Sequence, residues 1–221
     1  MTECCHSDIL FSMRSAPLTF ERALWKEGKA YVVGVDEVGC GCWAGEVVAA
    51  AVILKRDSPP PRAQDSKKLS EKQRLALTEH IKKTSFSWSI GRASLQEIDT
   101  LNIRQAAFLA MRRAIEQLSV SPDWVLCDGF NLPGITIPCT RLIHGDARSR
   151  SIAAASILAK VTRDQELKDA DLLYPGYGFA RHKGYGTKEH ARVLETLGPT
   201  PIHRMTFEPV KTVVLRLQRK G

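Results

Sequence analysis

Asp36 and Glu37 close the apolar run YVVGVD with two adjacent carboxylates, which have no use in packing and are costly to bury unpaired. Neighbouring strand residues point to opposite faces, so the pair serves one site only where the strand twists or ends. Gly39, Gly41 and Gly45 just beyond permit that. Asp128 closes a second short apolar run, WVLCD, immediately before Gly129, and functional groups collect at such strand ends in α/β sheets. Asp146 lies in HGDARS, just ahead of a stretch of small residues. Each has a plain structural reading as well: a solvated strand end, an Asp-Gly turn and a helix N-cap. Brought together, four carboxylates repel and raise one another's pKa unless cations neutralise them. Mg²⁺ and Mn²⁺ are hard ions that accept carboxylate oxygens and water. Two of them about 3.5–4 Å apart activate a water and stabilise the leaving oxygen of a phosphodiester. Hydrolytic cleavage of a nucleic-acid backbone is the expected chemistry.

The elements that must position these groups follow from hydrophobic period and capping signals. YVVGVD and VVAAAVIL are β-rich and apolar, separated by the Gly-rich GCGCWAGE, and predict a hairpin. DSPPPRAQDS is a loop, because consecutive prolines remove backbone donors. Ser70 opens a helix running through Lys83, with Gln73 at capping-box spacing and Leu75, Leu77 and Ile81 on its apolar face. FSWSIG alternates as a third strand. Residues 102–118 place Ile103, Ala107, Ala110, Met111 and Ile115 on one face of a long helix. WVLCD is a fourth strand, and GITIP with the following CTRLI is a further extended piece. Residues 151–170 are helical, and SIAAASILAK is small enough to lie close against a sheet. Residues 187–197 form another helix, stopped by Gly198 and Pro199, and residues 211–221 are a basic tail that adds a last one. The order predicts one α/β domain with helices covering a mixed sheet. Residues 1–28 are expected to be an N-terminal extension with a short helix around 18–25, pinned by Trp25. Residues 29–221 form the main domain.

The chain has 221 residues, 43% hydrophobic and 25% charged, enough to close a core without staples, and this excludes disorder as the whole answer. The longest apolar run, 47–54, is far short of the roughly 20 residues of a membrane span. The first residues lack the order of a secretory signal, so a cytoplasmic protein is expected. Six scattered cysteines do not form a disulfide framework. Cys40-x-Cys42 without a second Cys or His pair makes a poor zinc site, and Cys4, Cys5 and His6 carry no more. Lys plus Arg number 32 against 24 Asp plus Glu, and the net +8 favours a polyanionic partner. Lys67 and Lys68, in a loop after Asp65 and Ser66, are suited to phosphate, with Lys160, Arg163, Arg181, His182 and Lys183 extending the supply.

Five blocks together, GVDEVGCGCWAGEVVAAAVIL, DSKKLS, the Asp128-Gly129 strand end, GDARSRSIAAASILAKVTRD and YGFARHKGYGTKEH, resemble in order and spacing the type 2 ribonucleases H. The likeness is to the bacterial ribonucleases HII in particular, and it runs over about 31–207. The resemblance implies a ribonuclease H-like mixed β-sheet flanked by helices, with a C-terminal helical segment. It implies an endonuclease that cuts the RNA strand of RNA–DNA hybrids and at ribonucleotides embedded in duplex DNA, leaving 3′-hydroxyl and 5′-phosphate ends. It also implies that Asp36, Glu37, Asp128 and Asp146 hold two divalent ions, Mn²⁺ or Mg²⁺, in an enzyme acting as a monomer in ribonucleotide removal. In the family a Gly-Arg-Gly segment senses the 2′-hydroxyl of the ribonucleotide. Here it is Gly39-Cys40-Gly41, which keeps the glycines but has no guanidinium fork for phosphate. Cys42 and Glu46 likewise replace two family prolines. Tyr185 corresponds to a tyrosine that packs on a deoxyribose, where an added 2′-hydroxyl would intrude. Lys67 and Lys160 correspond to lysines within family motifs. Two rivals stay open at this point: a ribonuclease H-like DNA resolvase, and a hybrid-binding module without catalysis, suggested by Cys40.

Overall fold

The computed structural model describes residues 16–57 and 69–219, so Cys4, Cys5, His6 and the loop carrying Asp65, Ser66, Lys67 and Lys68 lie outside the described residues. Strand β1 (Val32–Val38) pairs antiparallel with β2 (Val47–Ile53), Val35 opposite Ala51, which is the expected hairpin. Strand β3 (Ser87–Ala93) continues antiparallel beside β2. On the other side β4 (Trp124–Asp128) runs parallel to β1, and β5 (Cys139–Leu142) parallel to β4, giving the sheet order β3-β2-β1-β4-β5. The sheet is mixed, as expected. Of the extended piece expected over GITIP and CTRLI, CTRL forms β5 while GITIP forms no strand, because Gly134 turns at φ +76° and Pro138 has no N–H to give a ladder. Ile135 and Ile137 instead pack against the core from an irregular segment.

Helices cover both faces. Alternation along β1 and β2 sends Val33, Val35, Ala49, Ala51 and Ile53 to one side, where they meet Ala107, Ala110, Met111 and Ala114 of α4 (Ile103–Glu116). Ala50 and Val52 face the other way, against Ala153, Ala154, Ile157 and Leu158 of α6 (Arg150–Leu173) and Leu77 and Ile81 of α2 (Glu71–Thr84). Helix α2 starts on the Ser70/Gln73 capping box. The small residues of α6 let its backbone touch the sheet. Gly34 lies against Ser151 and Ile152, where a Cβ would come within 2.2 Å of the Ser151 carbonyl carbon.

Helix α1 (Thr19–Lys26), in the segment expected as an extension, packs Leu24 and Trp25 on the sheet. Its Glu21 is fully buried and accepts from the Ser149 hydroxyl (2.6 Å) and from the Ser151 amide (2.9 Å) and hydroxyl (2.8 Å) at the start of α6. Three short helices were not anticipated: α3 (Leu95–Leu101), α5 (Gly145–Arg148) and α7 (Phe179–His182). The chain ends in α8 (Lys188–Leu197), stopped at Gly198, and α9 (Val210–Gln218), whose Val210 and Val213 pack on Leu194.

The close approach of α6 to β1 is testable. Gly34→Ala forces backbone apart at a rigid contact and is expected to lower the unfolding free energy by about 1–3 kcal/mol, read as a lower urea midpoint. An unchanged midpoint would show that α6 does not rest on β1 there.

Candidate active site

The parallel pairing of β1 and β4 sets the site. Val35 is level with Cys127, so the next residues stand level too, at the same edge: Asp36, two residues before the end of β1, and Asp128, the last residue of β4. The Gly145 amide donates to Asp128 Oδ1 at 2.6 Å, which brings Asp146 to that edge on α5. Glu37 points to the α4 side of β1 and Asp36 to the α6 side, yet at the strand end both reach one cleft. That cleft, of about 330 Å³, is lined by Asp36, Glu37, Asp128, Asp146, Ser156, Lys160 and Tyr185 together with Val38. All four carboxylates named from the sequence therefore meet. The cap reading of Asp146 fails for α6, whose N-cap is Ser149. Asp128 does enter the expected turn at Gly129, and its carboxylate is used besides.

The electrostatics are those of crowded anions. Asp36 is buried, and its carboxyl is held well above the ordinary range, first by desolvation, then by repulsion from Glu37 and Asp128, with Asp146 adding a little. A hydrogen bond from Ser156 opposes the rise. Among the described residues no three His, Cys, Asp or Glu side chains already close into a metal cage. The donor set is nonetheless all hard oxygen around one crowded cleft. Ions such as Mg²⁺ keep several waters and take only one or two protein carboxylates together with substrate phosphate, so an open set suits them. The residues fit hard divalent cations.

Ser156 was missed from the sequence. It stands four residues before Lys160, on the same face of α6, and that spacing was its signal. Lys160 lines the cleft, pairs with Asp164 at 2.7 Å, and holds its ammonium 5.6 Å from the centre of the Tyr185 ring. Tyr185 is 38% exposed, with a ring face available to a ligand.

Gly39, Cys40 and Gly41 leave β1 beside Glu37. Cys40 Sγ donates to Glu37 Oε1 at 3.8 Å, and burial with the nearby Glu37 pushes the thiol up to about 12, so it is inert. Gly39 has φ +97°, and a Cβ there would meet Arg163 Nε at 2.4 Å. Arg163 corrects an expectation. It is fully buried and carries no phosphate; it donates to the carbonyls of Glu46 (3.1 Å), Lys183 (2.8 Å) and Ala44 (2.7 Å). Arg204, also fully buried, donates to the carbonyls of Cys40, Cys42 and Gly45 at 2.7–3.2 Å. Two guanidiniums thus clamp the loop after β1, because a turn this tight leaves carbonyls inside that only forked donors can satisfy. Arg181 pairs with Glu189, Lys183 Nζ donates to the Ala180 carbonyl, and His182 is buried, so none of these three is a free phosphate ligand either. Cys42 is buried with Sγ on the Lys183 carbonyl, as an incidental small residue rather than a metal ligand.

Behind Tyr185 runs a relay of neutral histidines. The Thr200 amide donates to His203 Nδ1 (2.9 Å), so His203 Nε2–H donates to His190 Nε2 (3.0 Å), and His190 Nδ1–H donates to the Tyr185 carbonyl (3.0 Å). His182 stacks on His190 at 4.2 Å, accepts from the Gly184 amide and donates to the Tyr177 carbonyl. No sequence signal separated these histidines from surface ones.

The sheet order and the helix on each face are those of the ribonuclease H-like fold. In agreement, the crystal structure of the ribonuclease H2 from Pyrococcus horikoshii OT3 superposes with a TM-score of 0.71 at 23% identity, covering 86% of this chain and 99% of that one. Residues 33–210 match the family model described as Ribonuclease HII. A ribonuclease HII of Caulobacter vibrioides is 55% identical over 190 residues, 85% of this chain and 89% of that protein. One of Anaeromyxobacter sp. is 50% identical over 194 residues, 88% of this chain and 62% of that longer protein. The chain belongs to the ribonuclease HII family, metal-dependent ribonucleases H that degrade the RNA of RNA–DNA hybrids.

Burial holds His190 and His203 down to about 4. Between pH 6.5 and 4 the unfolded chain therefore binds protons that the fold refuses, and stability present in full above pH 6.5 drains away as pH falls towards 4. The melting temperature is expected to drop across that window, with His203→Gln removing part of the drop. A wild-type melting temperature that stays level from pH 7 to 4.5 would contradict the neutral relay.

Proposed function

We propose that the chain is an endonuclease that hydrolyses the RNA strand of RNA–DNA hybrids and also cuts at single ribonucleotides embedded in duplex DNA, leaving 3′-hydroxyl and 5′-phosphate ends. The observation that carries this reading is the gathering of Asp36, Glu37, Asp128 and Asp146 around one cleft that also holds a lysine and an exposed tyrosine. The four carboxylates would hold two divalent ions, Mg²⁺ or Mn²⁺. When bound, such ions supply an activated water and charge neutralisation for the departing oxygen. Asp36, the most buried of the four, is oriented by Ser156, and Asp128 by the Gly145 amide. Lys160 offers a cation to the phosphate backbone, and Lys67 would add another. Tyr185 offers a flat face to a deoxyribose, which excludes a 2′-hydroxyl at that position. Gly39, Cys40 and Gly41, held by Arg163 and Arg204, would present backbone to the ribose of the ribonucleotide. Residues 29–221 would form the enzyme domain, acting as a monomer in the cytoplasm in the removal of ribonucleotides. No described helix is long and apolar enough to cross a membrane.

The test is cut-site mapping on three duplexes, a full hybrid, a DNA duplex with one ribonucleotide and an all-DNA duplex, with each ion in turn. Cleavage of the first two alone is expected, and Asp36→Asn should lower kcat by about 10³-fold or more. Equal cutting of the all-DNA duplex would favour the resolvase reading, and binding without cleavage in either ion would favour a non-catalytic module. Cys40→Arg supplies a fork for phosphate and should steepen the slope of log affinity against log salt by about one. An unchanged slope would remove that role from position 40.

A further inference from the structure

Glu37 lines a second pocket on the α4 side of the sheet end, away from Tyr185. This pocket, of about 190 Å³, is walled by Cys40, Ile103, Ala107, Phe108 and Phe130, with Arg104 at its mouth. Its walls are almost wholly apolar, yet it opens beside a catalytic carboxylate, where an apolar hollow has no part in holding ions. Phe130 is 37% exposed, and its edge-to-face contact with Phe108, centroids 5.6 Å apart at 77°, fixes the ring while leaving one face to the pocket. Arg104, in the first turn of α4, is exposed and has no ion pair among the described residues, whereas Arg92, Arg113, Arg181 and Arg216 are each paired with a glutamate.

A flat apolar face beside an unpaired guanidinium, continuous through Glu37 with the carboxylate cleft, is complementary to a sugar joined to a phosphate. The bases of a duplex stay stacked and paired, so what such a duplex offers a surface pocket is its backbone. We propose that this pocket is a second backbone subsite. It would take the sugar of a substrate nucleotide on Phe130 and the adjoining phosphate on Arg104, on the side of the scissile phosphate opposite Tyr185. The two aromatic residues would then grip the strand on either side of the carboxylates and set which bond lies over them. This inference rests on the nuclease reading above.

The experiment uses a DNA duplex with one ribonucleotide in which successive phosphates near the cut are replaced, one at a time, by neutral methylphosphonates. For the wild type, one linkage away from the scissile one should raise KM roughly fivefold, and Arg104→Ala should raise KM about as much on the unmodified duplex with kcat within twofold. Arg104→Ala should also become insensitive to that one methylphosphonate while keeping its response to all others. Phe130→Ala should raise KM by roughly fivefold and Phe130→Trp should restore it. Phe130 is half out of the core, so the variants are expected to fold, and an unchanged circular-dichroism melt checks it. The subsite is overturned if Arg104→Ala responds to every methylphosphonate as the wild type does, or if both alanine variants keep wild-type KM. A wild type that cuts the unmodified duplex in those cases leaves the nuclease reading standing. A wild type that cuts no substrate removes both.

Discussion

Like charges at the ends of two neighbouring parallel strands are the constraint around which this molecule is arranged. β1 and β4 run side by side in the same direction, with Asp36 and Glu37 in the last residues of β1 level with Asp128 at the end of β4, while α5 adds Asp146 as a fourth. In an apolar setting such crowding is strongly unfavourable, and Asp36 registers it with a carboxyl that resists ionisation. Lys160 lines the cleft and pairs with Asp164. Crowding of this kind is relieved by a ligand that brings positive charge with it, which is the physical content of a metal-dependent site.

Cations that a sequence reading assigns to substrate are partly spent on structure. Arg163 and Arg204 are buried without a carboxylate and satisfy the inward carbonyls of the loop after β1, and burial lowers Arg204 to about 10. They hold that loop against the segment that bears Tyr185, through the Lys183 carbonyl and the Cys42–Tyr185 bridge. The histidine relay fixes the Tyr185 carbonyl from the other side. The cleft wall is thus built from backbone polar groups, each with a directed partner, and its shape depends on two ionised guanidiniums and neutral imidazoles at the same pH.

Much of the fold was legible because its signals are local. Alternation and branched residues marked β1, β2, β3 and β4, the Ser70/Gln73 box marked α2, and the small residues 151–159 foretold an intimate helix on the sheet. Helix α3 was missed although Ser94 and Glu97 form the same kind of box, because seven residues give too short an apolar period to stand out. GITIP and CTRLI were read as one extended piece, but the isoleucines of GITIP pack without pairing and only CTRL joins the sheet. Asp36, Glu37 and Asp128 stood out because an acid at the end of an apolar run is anomalous, and the fold gathers them with Asp146 around one cleft. Arg163, Arg204 and the three histidines did not stand out, because their roles depend on contacts across more than a hundred residues or between three helical turns, and composition carries no trace of those. The contact of Cys40 with Glu37 and the hollow it borders needed coordinates.

Anomalous diffraction from crystals of the wild-type protein soaked in Mn²⁺ shows whether the gathered carboxylates hold divalent ions. Anomalous density is expected within the cleft, in ligand contact with oxygens of Asp36 and of at least one of Glu37, Asp128 and Asp146, and lost in Asp36→Asn crystals. Density confined to other parts of the surface, or undiminished by that substitution, would contradict the metal-dependent site.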